Sequence, residues 1–259
     1  AAFDYRELRR RLDGRASLLF VAHRHEILEQ SRVVFRVVLG EASFGERLGN
    51  GEVPRRDEHV FANIQSLHED ALAKLAADAF DVVIIDEFHH AASDTYDALL
   101  RRLRPKFLLG LTATPERNDG KSILHWFDDR IASELRLWKA LDDGLLSPFQ
   151  YFGISDGTQL GGIRWTPTGY ATSELRNVYT ANDVWIRRVL QEVNRKISDP
   201  TRMRALGFCV DIAHAEFCAM RFEEAGLESK VLSRHSTTAE RATALAQLQS
   251  GELRAIFSV

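Results

Sequence analysis

The stretch Val82-Val83-Ile84-Ile85-Asp86-Glu87-Phe88-His89-His90 decides how the rest of the chain is read. Its four β-branched residues predict a strand buried on both faces, the kind found inside parallel sheets. Two carboxylates and two imidazoles follow at the strand's carboxyl end. In open α/β sheets that edge is where ligands bind. A metal cluster, an acid/base pair and the Mg²⁺ end of a nucleotide site all fit these four residues taken alone.

Working outward, similar apolar runs alternate with amphipathic segments. Strands are expected at Ser17–Ala22, His59–Asn63, Asp81–Asp86, Phe107–Thr112, Pro148–Ile154, Arg204–Val210, Ser229–Leu232 and Arg254–Val259. Helical periodicity fits Arg24–Leu39, Gln65–Ala77, Thr95–Arg104, Leu135–Asp143, Asn182–Ile197, His214–Ala225 and Thr238–Gln249. This is a doubly wound α/β pattern, with parallel sheets covered by helices. Only Ser155–Tyr170 breaks the rhythm, with four glycines, one proline and scattered apolar residues. It divides the chain into a first domain over 1–147, a linker or excursion over 148–180 and the start of a second domain over 181–259.

Composition removes several classes. With 259 residues, 45% hydrophobic and 27% charged, the chain has material for two ordinary globular cores. No apolar run reaches the roughly 18 residues of a membrane span. The opening AAFDYRELRRRL has no apolar secretion core, so a cytoplasmic protein without membrane contact is expected. Cys209 and Cys218 form no C-x-x-C pair and no metal-ligand spacing, and read as free thiols. A net charge of −3 provides no global field for nucleic acid, so any such site must be local.

At the end of the Val82–Ile85 run, Asp86 is placed to hold the water shell of a Mg²⁺ ion bridging nucleotide phosphates. Glu87 is placed to orient and polarise an attacking water, and His89 to sense the γ-phosphate. A zinc site at this loop lacks the helix-borne H-E-x-x-H spacing, and neighbouring His89 and His90 diverge. A two-carboxylate glycosidase needs groups about 5 Å or more apart across a bond, usually from separate segments. Phe107–Pro115 is a second buried strand, ending in Thr112 and Thr114. Upstream, Val21-Ala22-His23-Arg24 and Phe61-Ala62-Asn63-Ile64-Gln65-Ser66-Leu67 each leave a strand and open a helix. Such helix starts suit phosphate-backbone contacts.

In this order VAHR, FANIQSL, DEFHH and LTATPER resemble motifs Ia, Ic, II and III of superfamily 2 DEAD/DEAH-box helicases and translocases. Leu206–Glu216 resembles the motif IV region, and Ala255–Val259 the strand entering motif V. The pattern is most similar to bacterial type III restriction "res subunit" helicases, some of which carry an added nuclease domain. The resemblance implies tandem RecA-like domains, both incomplete here, in a nucleic-acid-stimulated ATPase that moves strands. It implies ATP and Mg²⁺ as the parent protein's ligands, nucleic acid (DNA by preference) as partner, and further nuclease or C-terminal domains. It assigns Asp86 and Glu87 to Mg²⁺ and water, and His89, Thr112 and Thr114 to coupling. It assigns His23, Arg24, Asn63, Gln65 and Ser66 to the nucleic-acid backbone.

The departures are specific. The phosphate loop G-x-x-x-x-G-K-[ST] is represented only by a decoy, Pro115–Ser122, in the wrong place and with proline for its first glycine. The motif is expected before Ala1, and motifs V and VI after Val259. Asn63 stands where relatives commonly carry threonine. These 259 residues alone are therefore expected neither to hold ATP tightly nor to hydrolyse it. Two rival readings remain: a non-catalytic nucleic-acid-binding module on a decayed helicase core, and a metal-dependent hydrolase at the Asp86–His90 loop. Arg9–Arg11 and Arg101–Lys106 read as solvated basic faces. Trp165 and Tyr170 are candidates either for base stacking or for pinning a loop.

Overall fold

A computed structural model describes residues 1–89, 94–114, 122–154, 161–166, 169–171, 174 and 183–259. The chain divides into two compact units, Ala1–Ser147 and Pro148–Val259. His90, most of the Pro115–Ser122 decoy and much of the Ser155–Tyr170 excursion lie outside the described residues.

In the first unit the apolar runs become β1 (Leu18–Ala22), β3 (His59–Asn63), β4 (Val82–Ile85) and β5 (Phe107–Gly110), joined by a short edge strand β2 (Glu46–Leu48). They form one parallel sheet in the order β2-β3-β1-β4-β5. Leu18 of β1 pairs in register with His59 and with Val82. Every residue of β1 and β4 is buried, because helices cover both faces. One face carries Leu18, Phe20, Val82 and Ile84 against Tyr5 and Phe35, from α1 (Ala2–Arg11) and α2 (His25–Leu39). The other carries Leu19, Val21, Val83 and Ile85 in a second core with Leu72, Tyr96 and Leu99. These come from α3 (Glu69–Ala73) and α4 (Asp94–Arg102), and α5 (Leu137–Asp142) closes the unit's described helices. Alternate side chains thus enter opposite cores, which is why the strands read as continuous apolar runs.

The second unit has a three-stranded parallel sheet, β8-β10-β9. Its strands are β8 (Ala205–Phe208), β9 (Ser229–Leu232) and β10 (Ala255–Ser258). Its helices are α6 (Asp183–Lys196), α7 (Ile212–Glu224) and α8 (Thr238–Ser250). A small antiparallel pair, β6 (Trp165–Thr166) and β7 (Gly169–Tyr170), precedes them. Helix α7 starts at Asp211, whose carboxylate accepts the His214 amide at 2.8 Å. Helix α8 starts with a capping box between Thr237 and Glu240 and ends at Gly251 in the left-handed conformation.

Three expectations need correction. Pro148–Ile154 is not a strand: it is irregular chain that pairs in no ladder among the described residues. Its apolar residues Phe152 and Ile154 instead line a groove with Trp185, Val189 and Val193 of α6, and Lys196 lies over the Phe152 ring at 4.0 Å. The helix expected over Gln65–Ala77 is broken into a 3-10 turn, Ile64–Ser66, and the short α3. Asn63 accepts the Gln65 amide and starts the 3-10 turn, and the chain is extended again at His68 before α3 begins. Strand β5 stops at Gly110, so Thr112 lies in the loop beyond it.

Candidate nucleotide and strand-coupling edge

Because the sheet is parallel, the carboxyl ends of β1, β3, β4 and β5 share one edge. Their following loops carry the ten candidate residues. Side-chain hydrogen bonds join the β1 loop to the β3 loop and the β4 loop to the β5 loop.

At one side, Asn63 is only 4% exposed. Its amide nitrogen donates to the His23 carbonyl at 3.2 Å and its amide oxygen accepts the Gln65 backbone N–H at 2.8 Å. The side chain therefore ties the β1 loop to the β3 loop from beneath, while Gln65 is exposed and Ser66 half-buried. Gly49, at φ +131°, backs the same junction. A Cβ there would lie 2.9 Å from Ser66 Oγ and 3.1 Å from Asn63 Cβ, closer than ordinary contact. Arg24 is exposed at the start of α2, where its own side chain makes no capping bond.

The centre is the β4 loop. The Asp86 amide donates to the Val21 carbonyl at 2.9 Å, so Asp86 extends the ladder by one residue. Burial pushes its carboxyl above the usual carboxylate range, and the Glu87 charge adds to this. The Glu87 amide and the nearby His23 and His89 oppose it. Glu87 then adopts φ +51°, a left-handed conformation costly for any residue with a Cβ. The turn sends Phe88 into the core, with its amide bonded to the Leu111 carbonyl at 2.8 Å. Phe88 packs on Phe127 at 4.7 Å, and Gly110 leaves room for both rings. A Cβ on Gly110 would approach each ring to 2.7 Å.

His89 links this loop to the next. Its Nδ1 lies 3.1 Å from Glu87 Oε2 and 3.1 Å from Thr112 Oγ1. The tautomer with the proton on Nδ1 suits both contacts, because carboxylate and hydroxyl oxygens can each accept it. Thr112 Oγ1 also accepts the Thr114 amide at 3.1 Å. The sequence reading missed one neighbour, Tyr96 on α4. It is 4% exposed and its hydroxyl finds no hydrogen-bond partner among the described residues. Burial raises its pKa to about 12, with the charges of Asp86 and Glu87 adding to the effect. In sequence it looks like any core aromatic on an amphipathic helix.

Several other candidates are spent elsewhere. Arg10 and Arg11 pair with Glu7, Arg101 with Asp97, and Lys106 with Asp81. Arg102 donates to the carbonyls of Leu72 and Ala73. Trp165 and Tyr170 pack edge to face at 4.8 Å across the β6–β7 pair. Among the described residues, the Asp86–His89 loop gathers no three metal-ligating side chains; Cys209, His214 and Cys218 do. The donors at Asp86 and Glu87 are hard oxygens, suited to Mg²⁺ rather than zinc. A buried carboxylate with a raised pKa is also one that a cation would stabilise.

Residues 1–117 match the family described as "Type III restriction enzyme, res subunit". That match takes in most of the first unit and just under half of the chain. Over 95% of its length it is 22% identical to IRC3 of Saccharomyces cerevisiae, whose name describes a candidate ATP-dependent helicase. Over 77% of its length it is 28% identical to the Type I restriction enzyme EcoAI endonuclease subunit of Escherichia coli. The chain spans about a third of the IRC3 chain, 36%, and 27% of the EcoAI subunit. Among solved structures, S. cerevisiae Dbp5 bound to Gle1 and IP6 superposes with a TM-score of 0.50 at 10% identity, covering 94% of this chain and 56% of that one. The fold is thus that of tandem RecA-like helicase domains.

Proposed function

We propose that this helicase core belongs to a nucleic-acid-stimulated ATPase that couples hydrolysis to movement along a strand, DNA in preference to RNA. The observation that supports the reading is the gathering of the candidate residues at one sheet edge, with Asn63 tied to His23 and Gln65, and His89 tied to Glu87 and Thr112. Asp86 would hold Mg²⁺ through its water shell, and the ion would neutralise phosphate charge on ATP. Glu87 orients and polarises the attacking water. His89, sharing its Nδ1 proton between Glu87 and Thr112, relays a change at the carboxylate to the β5 loop. Exposed Arg24 and Gln65, with His23 and Ser66, contact the nucleic-acid backbone, and Asn63 holds their loops in register.

The 259 residues contain no G-x-x-x-x-G-K-[ST] run, so on their own they neither bind ATP tightly nor turn it over. Nuclease or other C-terminal domains in the parent protein and a cytoplasmic setting belong to the same proposal. No helix among the described residues is long and apolar enough to cross a membrane.

The test is Glu87→Gln in the full-length protein. ATP turnover should fall ~100-fold or more while Mg·ATP binding persists. Thr112→Ala should retain turnover and lose strand movement. Turnover unchanged in the Glu87 variant would overturn the assignment. Turnover by residues 1–259 alone would overturn the proposal that these residues do not hydrolyse ATP by themselves.

A further inference from the structure

The second unit brings together three side chains that the helicase reading leaves idle. Cys209 follows β8, held there by its amide, which donates to the Ser258 carbonyl at 2.8 Å. His214 and Cys218 stand one turn apart on α7, so they project from one side of that helix. The two sulfurs and a ring nitrogen all lie within 4.8 Å of one another. Sequence spacing hides this cluster, because C-x4-H-x3-C becomes a set only when the strand-to-helix turn folds Cys209 back over the helix.

From this geometry we infer that Cys209, His214 and Cys218 form a three-ligand site for a thiophilic cation, zinc above all, clipping the end of β8 to α7.

The surroundings fit that assignment. Two thiolates and an imidazole form a soft donor set that selects zinc over magnesium or calcium. Cys218 and His214 are buried, whereas Cys209 is half-buried and opens a path from solvent. A fourth, water ligand can enter on that side. The His214 ring is fixed by an edge contact to Trp185 at 5.1 Å, and the start of α7 is fixed by the Asp211 cap. Zinc–sulfur and zinc–nitrogen bonds of about 2.3 and 2.0 Å require the ligands to close in by ~1 Å, within reach of thiol rotation. His214 Nδ1 accepts the Val210 amide at a long 3.2 Å, and that is the contact binding at Nδ1 displaces. The two sulfurs already lie within 4.8 Å of each other. On binding, each cysteine releases its proton to solvent and no electron moves.

The experiment uses reduced, metal-free protein titrated with Zn²⁺ against a chromophoric chelator, and with Co²⁺ followed by absorption. One equivalent should bind, and cobalt should show thiolate charge-transfer bands with intense tetrahedral d–d absorption. Cys209→Ser, at the half-buried position, should keep the far-ultraviolet dichroism of the native fold while lowering zinc affinity ~100-fold or more. Cys218→Ala should abolish the charge-transfer bands. Absence of stoichiometric binding would overturn the inference. So would a cobalt spectrum without thiolate bands, full affinity in the Cys209 variant, or a Cys209–Cys218 disulfide forming in place of metal binding.

Discussion

The two units place different chemistry at the same point of a shared scheme. In each, a parallel strand ends and its side chains meet those of the next loop or helix. At the β4 end in the first unit the donors are carboxylates, an imidazole and hydroxyls: Asp86, Glu87, His89 and Thr112. At the β8 end in the second they are two thiols and an imidazole. The sheets differ as well. Every residue of β1 is buried, whereas β8 alternates, with Leu206 60% and Phe208 85% exposed. Among the described residues, covering helices more than strand sequence set this difference: the first sheet has a core on each face at β1, and the face of β8 that carries Leu206 and Phe208 packs into none.

The comparison can be broken most forcefully at Phe88. Its truncation to alanine should cost about 3–5 kcal/mol, because the ring is buried against Phe127 and Gly110 beneath the carboxylates. Urea denaturation should show the loss in the first unit's transition. An equally stable Phe88→Ala protein would mean that the edge is not held by its core. In the second unit the counterpart is Gly207→Ala, whose Cβ would come within 2.4 Å of the Phe257 ring. Overpacking there should cost roughly 1–3 kcal/mol. Next is Thr237→Ala, which removes the α8 capping box and should cost ~1 kcal/mol.

Acid should weaken both units through one histidine each. Burial holds His59 and His214 below the usual imidazole range. Their folded pKa values therefore lie under the unfolded value of about 6.5. The associated stability is full above that pH and is lost as pH falls through the folded values. Stability curves of His59→Gln and His214→Gln should flatten between neutral and mildly acid pH; unchanged slopes would rule this linkage out. The smallest effect belongs to Arg101→Ala, whose exposed pair with Asp97 is screened by solvent, so the melting temperature should not move measurably.

The sequence made β1, β3, β4 and β9 legible because their residues are apolar, β-branched or closely bounded by turns. It did not reveal β2, since Glu46-Arg47-Leu48 has no apolar run and is recruited only by pairing with β3. Pro148–Ile154 misled for the opposite reason: aromatic and β-branched residues there serve a groove on α6, and periodicity cannot tell that from a sheet. At the edge, Asp86, Glu87 and His89 could be picked out because polar groups ending a buried strand are conspicuous. Asn63 was picked out too, but its burial and its bridging of two loops follow from packing. Tyr96 and the Cys209–His214–Cys218 cluster were hidden because their significance depends on distances between elements that no local pattern encodes.

The left-handed backbone at Glu87 has a consequence for how this protein tolerates change. Glycine adopts φ +51° without strain, so Glu87→Gly should relieve about 1 kcal/mol while deleting the carboxylate beside Asp86. Breeding for thermal resilience alone would then favour the variant that the proposed chemistry cannot survive.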